Sequence, residues 1–532
     1  MAVTVPDSEL GKPEKPQRAR RAWRPWLLRL VAAAASGFVF YLSFAPRSLW
    51  WLAPIAFAGL GLVLRGRRVW GGLGYGFTFG LGLYIPLLTW LQDFLGPEVG
   101  VTPWIALSAA LALYIGIGTA LGTFAARLPG GPVWMAMLVI ATETPRAWWP
   151  FGGFPWGRVA FSQPEGAFVP LASVGGAPLV GFAVVLTGFC LATVIPRLRR
   201  RAWRPLVLPA AGVILPVVAG LALWPTIDTA AQNGSLTVAT VQGNAPDIGL
   251  ELENESATVE ANHLAQNQRL AQEIAAGQVP KPDLVVWPET AVTTVGEDPA
   301  VDEAVDSIGV PALVGTLDHS GTQPRNTVYV WNPGTGPAES YSKRQLVPFG
   351  EYVPARSIAS LVTPFVDQTK DIQAGTTPSV MNVAGTRVTA PICYEIAYDY
   401  IAREGVDDGA QLIVLPTNNA WYGHSEMSYQ QLAMARLRAV EHSRAVVVSA
   451  TSGVSAIVQP DGTITASTSE FTAASLVGRV PLRQATTLSD RLGAWTEYTL
   501  VGVALATAVA GMVQSARTRR ARAKDTRATV AE

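Results

Sequence analysis

Three residues of this sequence have the types needed for covalent chemistry on a carbonyl. Cys393 lies in Thr389-Ala390-Pro391-Ile392-Cys393-Tyr394-Glu395, and Glu289 in Asp283-Leu284-Val285-Val286-Trp287-Pro288-Glu289-Thr290. Lys343 lies in a loop, Tyr341-Ser342-Lys343-Arg344-Gln345, with Glu351 eight residues further on. A cysteine attacks as its thiolate, and a free pKa near ~8.5 means that a base or a cation must help. A carboxylate supplies the base, and an ammonium steadies a developing oxyanion. Singly, each residue has a plain structural explanation: Glu289 a helix cap, Lys343 a solvated loop charge, Cys393 a small buried hydrophobe. Together they make a nucleophile, a base and a cation, each at a strand end or on a loop, where ligands of α/β sheets collect.

Strands and helices must hold these residues in place. Strand-like runs recur at Leu236–Val241, Asp283–Trp287, Ala312–Gly315, Thr327–Trp331, Val388–Cys393, Gln411–Leu415, Ala445–Ala450 and Val454–Val458. Helical stretches fall near 252–276, 396–404 and 427–442, the second starting just after Cys393. This alternation, with continuous apolar strands, predicts an α/β domain whose sheet is covered. Residues 228–491 carry 15 Lys and Arg against 29 Asp and Glu, a net charge of −14. Nucleic-acid binding is excluded, because phosphate contacts need a basic face. Cys393 is the one cysteine of this segment, so no disulfide forms within it. Four scattered histidines (His263, His319, His424, His442) and two cysteines give no metal-ligand spacing, and no cofactor is expected. A papain-like pairing of Cys393 with a histidine remains an alternative, although His424 and His442 read as helix-terminal residues.

The rest of the chain is of another kind. The 532 residues are 49% hydrophobic and only 15% charged, with mean hydropathy +0.26. Soluble domains carry about 25% charge, so this composition indicates a membrane protein. Eight apolar segments, near 27–45, 49–64, 70–91, 101–125, 131–145, 168–195, 205–225 and 495–515, approach the length that crosses a ~30 Å hydrocarbon core. Alternate loops and tails on one side, from Lys12–Arg29 through to Arg517–Arg527, hold 22 Lys and Arg. The short loops of the other side hold Arg47, Arg146 and Arg158. The basic side is cytoplasmic, so both termini lie inside and the acidic segment lies outside. The division is a basic tail (1–26), seven spans (27–225), an extracytoplasmic domain (226–491), an eighth span (492–515) and a second basic tail (516–532). Span interiors are nearly free of charge, with Glu143 and Glu497 near boundaries, which argues against a transporter. An outer loop with Trp148, Trp149, Phe151, Phe154, Trp156 and Phe161 suits headgroup depth, with Arg146 and Arg158 as candidates for lipid phosphates or interfacial anchoring. Cys190, mid-span, reads as a packing residue.

The Glu289, Lys343 and Cys393 stretches resemble the Glu-Lys-Cys triad of the nitrilase, or carbon–nitrogen hydrolase, superfamily. The runs Leu415-Pro416-Thr417-Asn418-Asn419-Ala420-Trp421, Ala435-Arg436 to Glu441-His442 and Ser452-Gly453-Val454-Ser455 are similar too. Eight spans around such a domain resemble the bacterial apolipoprotein N-acyltransferase family, as do Gly153-Phe154-Pro155-Trp156, Phe161-Ser162-Gln163 and Val241-Gln242-Gly243-Asn244. The sequence departs from the family in lacking a tryptophan within Ala245–Glu251. The resemblance implies a helical membrane bundle with an extracytoplasmic α-β-β-α sandwich. It implies acyl transfer from a membrane phospholipid, through a Cys393 thioester, to the α-amine of a diacylglyceryl-cysteine on an apolipoprotein. Glu289 would move protons, and Lys343 with the Tyr394 N–H would hold the oxyanion. Glu351, Tyr394 and Glu395 would support them. In some GC-rich bacteria the family works beside a polyprenol-phosphate mannosyltransferase. A membrane-tethered amidase using water is the competing expectation.

Overall fold

The computed structural model describes residues 23–199, 206–247, 255–354, 356–359 and 371–531. Most of the first basic tail, most of the basic turn at 197–204, and Ile248–Glu251 of the stretch without tryptophan lie outside them.

The apolar segments form helices α1 (Trp23–Tyr41), α2 (Leu52–Leu64), α3 (Val69–Leu87), α4 (Trp90–Val99), α5 (Thr102–Ala125), α6 (Gly131–Ile140), the single turn α7 (Glu143–Arg146), α8 (Ala172–Arg199) and α9 (Val207–Leu223). Four helices of the described chain are long and apolar enough to cross a membrane, at 102–125, 169–199, 207–226 and 495–523. A fifth arises if α3 and α4, bent by 54°, count as one broken span, and α1 and α2 are shorter apolar helices. The expected 70–91 span is therefore two helices, and the expected 131–145 span ends at Ile140. Helices in lipid gain little from burying apolar surface against one another, so they associate through close backbone approach. Gly72, Gly76 and Gly80 make such a stripe on α3. A Cβ on Gly80 would stand 2.6 Å from the Ala112 Cα of α5. Helix α9 buries only Gly220 and leaves Leu208, Ile214, Leu215 and Leu221 exposed, a lipid-facing pattern.

The remaining elements are β1 (Ser235–Gln242), α10 (Ser256–Ala275), β2 (Leu284–Val286), β3 (Val292–Thr294), α11 (Pro299–Ile308), β4 (Ala312–Asp318), β5 (Arg325–Asn332), β6 (Gly336–Ser342), α12 (Arg356–Ala359), β7 (Val380–Val383), β8 (Thr386–Thr389), α13 (Asp399–Asp407), β9 (Leu412–Thr417), α14 (Met427–His442), β10 (Val446–Ala450), β11 (Ala456–Val458), β12 (Ile464–Ser467), β13 (Ala474–Pro481), α15 (Leu488–Leu492) and α16 (Trp495–Ala531). The strands make two sheets, ordered β13-β1-β2-β4-β5-β6 with β3 beside β4, and β12-β11-β10-β9-β8-β7.

Side chains alternate faces along a strand, and both faces here are apolar. Val238, Val286 and Leu313 of one sheet meet Val388, Val414 and Val447 of the other, forming the inner core. The intervening Ala239, Val285 and Val314 pack outward on Leu270 of α10 and on Val301 and Val305 of α11. Ile413, Leu415, Val446 and Val448 pack outward on Leu432 and Leu437 of α14, in a core continuous with the helical bundle. Each fully buried Val or Leu stabilises by ~1.5–3 kcal/mol. The result is the expected α-β-β-α sandwich, with one outer helix layer seated on the bundle. Two expectations need correction. The Val388–Cys393 run leaves the sheet at Thr389, because Pro391 has no N–H for a ladder. The helix expected near 396–404 is α13, which starts only at Asp399 because a 3₁₀ turn over Cys393–Ala397 precedes it.

Candidate active site

Glu289 lies just past β2, where the chain crosses β4. Gly315 makes room for it: a Cβ there would stand 2.8 Å from the Glu289 Cα and closer still to the Pro288 carbonyl. Both carboxylate oxygens of Glu289 are held. Oε1 accepts from Lys343 Nζ at 2.8 Å and Asn326 Nδ2 at 2.7 Å, and Oε2 accepts from the Asn418 backbone N–H at 2.7 Å. Lys343 follows β6 and is 1% exposed. Its Nζ also donates to Glu351 Oε1 at 3.0 Å, and Asn326 donates to the same oxygen at 2.8 Å. Two of the three ammonium protons are thereby spent, and one is left for another acceptor. Burial opposes this charge, but Glu289, Glu351 and Cys393 outweigh it and hold the Lys343 pKa well above its ordinary value.

Cys393 is buried at the start of its turn, with φ +51°. A residue with a Cβ pays strain of order 1 kcal/mol or more in that region, so the surroundings must hold it there. Glu395 does so. Its Oε2 accepts from the Ile392 N–H at 2.8 Å, and its Oε1 accepts from the Arg344 and Gln345 N–H groups at 2.8 and 3.0 Å. Tyr341 Oη donates to both oxygens. One buried carboxylate thus fastens the cysteine's turn to the loop that carries Lys343. The Cys393 sulfur lies 3.5 Å from Gln431 Nε2, whose amide is oriented because Oε1 accepts from Thr417 and Asn419 at 2.9 Å. Burial pushes the thiol up to about 12, and the Glu289 charge adds to it. Lys343, Thr417 and Gln431 pull the other way. The resting group is therefore a thiol, electrostatically coupled to a base and a cation.

The helical half walls this site. Tyr422, which interacts electrostatically with Cys393, has its ring 5.2 Å from Trp90 and 5.4 Å from Phe94 of α4. Tyr394 stacks on Trp156 with ring centres 6.4 Å apart, and its hydroxyl donates to the Gly153 carbonyl at 3.2 Å. Tyr352 donates to the Phe151 carbonyl at 2.9 Å.

All six expected site residues fall in one region. Asn326, Asn418, Thr417, Gln431 and Tyr422 were not singled out. Asn418 and Thr417 stand in a quoted run, whereas nothing local marks Asn326 or Gln431. Three of the four histidines are engaged elsewhere, His442 with Asp490 at 2.7 Å, His263 with the Val259 carbonyl at 2.6 Å and His424 against Phe471, and His319 is exposed just past β4. Arg146 and Arg158 do not reach lipid phosphates. They are 2% and 3% exposed, with Arg146 on Tyr84 and the Trp156 carbonyl and Arg158 on Glu143, Asp399 and Glu497. The aromatic loop divides likewise: Trp148, Trp149 and Phe151 are exposed, whereas Trp156 and Phe161 are buried.

This pairing of sandwich and bundle is that of a membrane-bound carbon–nitrogen hydrolase domain. Residues 237–489 match the family model for carbon-nitrogen hydrolase, and residues 36–190 match that for the apolipoprotein N-acyltransferase N-terminal domain. The chain is 37% identical to the apolipoprotein N-acyltransferase of Mycolicibacterium smegmatis, over 90% of this chain and 84% of that one. It is 32% identical to that of Azotobacter vinelandii, over 89% and 92%. Saccharomyces cerevisiae Nit3, of the nitrilase superfamily, is similar at 18% identity and TM-score 0.34, over 47% of this chain and 90% of that one. The chain belongs to the apolipoprotein N-acyltransferase family. It is a membrane acyltransferase of lipoprotein biosynthesis rather than a tethered amidase.

Proposed function

We propose that Cys393 carries the acyl group between a membrane phospholipid and a lipoprotein. In the first step Glu289 takes the thiol proton as sulfur attacks the ester carbonyl. The tetrahedral oxyanion rests on Lys343 and the Tyr394 N–H, a service worth ~3–4 kcal/mol per donor. The C–O bond then breaks, Glu289 returns the proton to the departing lysophospholipid oxygen, and a thioester remains. In the second step the α-amine of a diacylglyceryl-cysteine attacks that thioester. Glu289 takes an amine proton and passes it to the leaving sulfur, giving an amide and free Cys393. Glu351 orients Lys343, and Glu395 and Tyr394 hold the turn.

The observation that carries this reading is the wall of the site, built by Trp90, Phe94 and Trp156 of the helical half. Drawing an acyl chain into water costs ~0.8 kcal/mol per CH₂, and a site walled by membrane helices avoids most of it. The charge asymmetry of the loops supports the proposed topology. The chain is multi-pass in the bacterial cell membrane with about eight spans, both termini are cytoplasmic, and the sandwich of 226–491 is extracytoplasmic. A polyprenol-phosphate mannosyltransferase working beside the enzyme belongs to this proposal on family resemblance alone. The test is intact mass after incubation with phospholipid alone, beside Cys393→Ala. Wild type is expected to gain one acyl mass, labile to hydroxylamine and discharged by a diacylglyceryl-cysteine peptide. No adduct with any phospholipid, or an equal adduct on the variant, overturns the reading.

A further inference from the structure

Below the nucleophile's turn lies a cluster of buried charge that the acyl-transfer chemistry does not use. Arg438 of α14 is fully buried, and its guanidinium clamps the end of that turn. Nε donates to the Ile396 carbonyl at 3.0 Å and Nη2 to the Ala397 carbonyl at 3.1 Å, with ion pairs to Asp399 and Glu441. Asp399, the first residue of α13, is shared. Its other oxygen accepts from Arg158 Nη1 at 3.1 Å. Arg158 comes from the loop between α7 and α8 and gathers two more carboxylates, Glu143 Oε2 at 3.2 Å and Glu497 Oε1 at 2.9 Å. Glu143 also accepts from the Val159 N–H at 2.8 Å, and Thr144 donates to Glu497 at 2.6 Å. Glu441 meets the bundle where α8 breaks: a Cβ on Gly176 (φ +66°) would run into its Oε1. Four bundle and catalytic elements thus converge through two arginines on the segment that follows Cys393.

Charges removed from water need a reason, since apolar packing of the same volume is often as stable. A cavity of about 400 Å³, lined in part by Arg158, Asp399, Glu441, Glu497 and Thr496, borders this cluster. What an ionic cluster supplies and an apolar seam does not is direction. A planar guanidinium accepts carboxylates at fixed angles.

We propose that Arg158 is a positioning residue for acyl transfer. Through Asp399 and Arg438 it ties the orientation of the Cys393 turn to the seating of α7 and α16 in the membrane. Arg158 touches neither the sulfur nor Glu289 or Lys343. It acts by fixing Asp399, which with Arg438 fixes the carbonyls of Ile396 and Ala397. The geometry of sulfur, base and cation is then complete only when the sandwich sits correctly on the bundle.

This inference rests on Cys393 being the acyl acceptor, and one experiment separates the two. Full-length Arg158→Gln, Arg158→Lys, Asp399→Asn and Arg158→Gln/Asp399→Asn are reconstituted with phospholipid. Single-turnover thioester formation is followed by intact mass, with folding checked by thermal unfolding. Each glutamine or asparagine variant is expected to form thioester about 10- to 100-fold more slowly, the scale of an ångström-sized misplacement. KM for phospholipid should stay within about twofold, because a positioning residue acts on the turn and not on the lipid. The double variant should be no slower than the worse single one, since both break one linkage, and Arg158→Lys should recover part of the rate. Multiplying defects, a KM effect without a rate effect, or folded variants at wild-type rate overturn the proposal. If Arg158→Gln does not fold, unchanged rates in Arg158→Lys and Asp399→Asn do so equally. Absence of thioester on the wild type instead sinks the acyl-acceptor reading.

Discussion

Replacing Glu289 by glutamine keeps the shape of the side chain and removes its ability to take a proton. The Cys393 thiol, raised to about 12 chiefly by burial, sets the expected loss. At pH 7.5 roughly one such thiol in 30,000 is ionised, against roughly one in ten for a free cysteine near ~8.5. The deficit is about 3,000-fold, or about 5 kcal/mol at ~1.4 kcal/mol per pKa unit. A site that waited for spontaneous thiolate would carry that deficit in every turnover. Attack with simultaneous proton transfer to Glu289 escapes it, and three donors, Lys343 among them, fix the carboxylate in one orientation.

Glu289→Gln should therefore slow thioester formation by about 10³-fold, measured as single-turnover mass gain with phospholipid. The residual rate carries a second signature. Burial, the largest cause of the raised thiol, survives the substitution, whereas the Glu289 charge that adds to it does not. The variant's thiol should fall somewhat yet stay above the free value. Its residual rate should climb close to tenfold per pH unit from pH 7 to 9, because it follows the thiolate fraction. The reasoning is refuted if Glu289→Gln acylates within about tenfold of wild type, or if its residual rate does not rise with pH.

Asn326→Asp places a third carboxylate where one amide now bridges Glu289 and Glu351, both at under 3 Å. Like charges so close raise one another's pKa, and thioester formation at pH 7.5 should drop more than about 100-fold, read by intact mass. Glu395→Gln exchanges one acceptor oxygen for a donor that faces N–H groups, costing about 1–3 kcal/mol, visible as a lower unfolding temperature. Burial holds the Glu395 carboxyl above its ordinary pKa. Its contribution to stability is thus fully present below the unfolded value near ~4.3 and is lost as pH rises through the folded one. The glutamine variant should lack that decline. Gly176→Ala adds a Cβ at φ +66° against Glu441, so it should destabilise by about 1–3 kcal/mol, whereas Gly66→Ala, at φ +69° in open space, meets the backbone strain alone.

The sandwich was legible because its inner and outer strand faces are both apolar, and β1, β2, β4, β5, β9, β10 and β11 each carry an apolar run. Two of the strands that escaped notice lack one. β6 reads Gly-Pro-Ala-Glu-Ser-Tyr-Ser and β12 reads Ile-Thr-Ala-Ser, edge sequences paired on one side. Helix α11 was missed although Asp298 caps it, accepting from the Ala300 and Val301 N–H groups. Glu289, Lys343 and Cys393 were legible by type and by family resemblance. Asn326 and Gln431 were not, since an amide on a strand or helix has no local mark of what it will orient. Arg146 and Arg158 were misjudged for a related reason. In an outer loop beside aromatics an arginine reads as a partner for lipid phosphate or an interfacial anchor, whereas two of the three carboxylates of Arg158 lie 241 and 339 residues further on.

That misjudgement bears on how the two halves work together. An ion pair at the surface contributes little, but three carboxylates around one guanidinium that is 3% exposed make a joint that holds in few other arrangements. The same seam carries hydrogen bonds of another kind, from Tyr352, Tyr394 and Tyr398 to the carbonyls of Phe151, Gly153 and Gly152. Rotating the sandwich on the bundle would break both sets, and the second set belongs to the aromatic wall of the site. Here the turn that holds Cys393, the tyrosines beside it and the Arg158 cluster all take part of their geometry from membrane helices, so acyl transfer is competent where the lipid is.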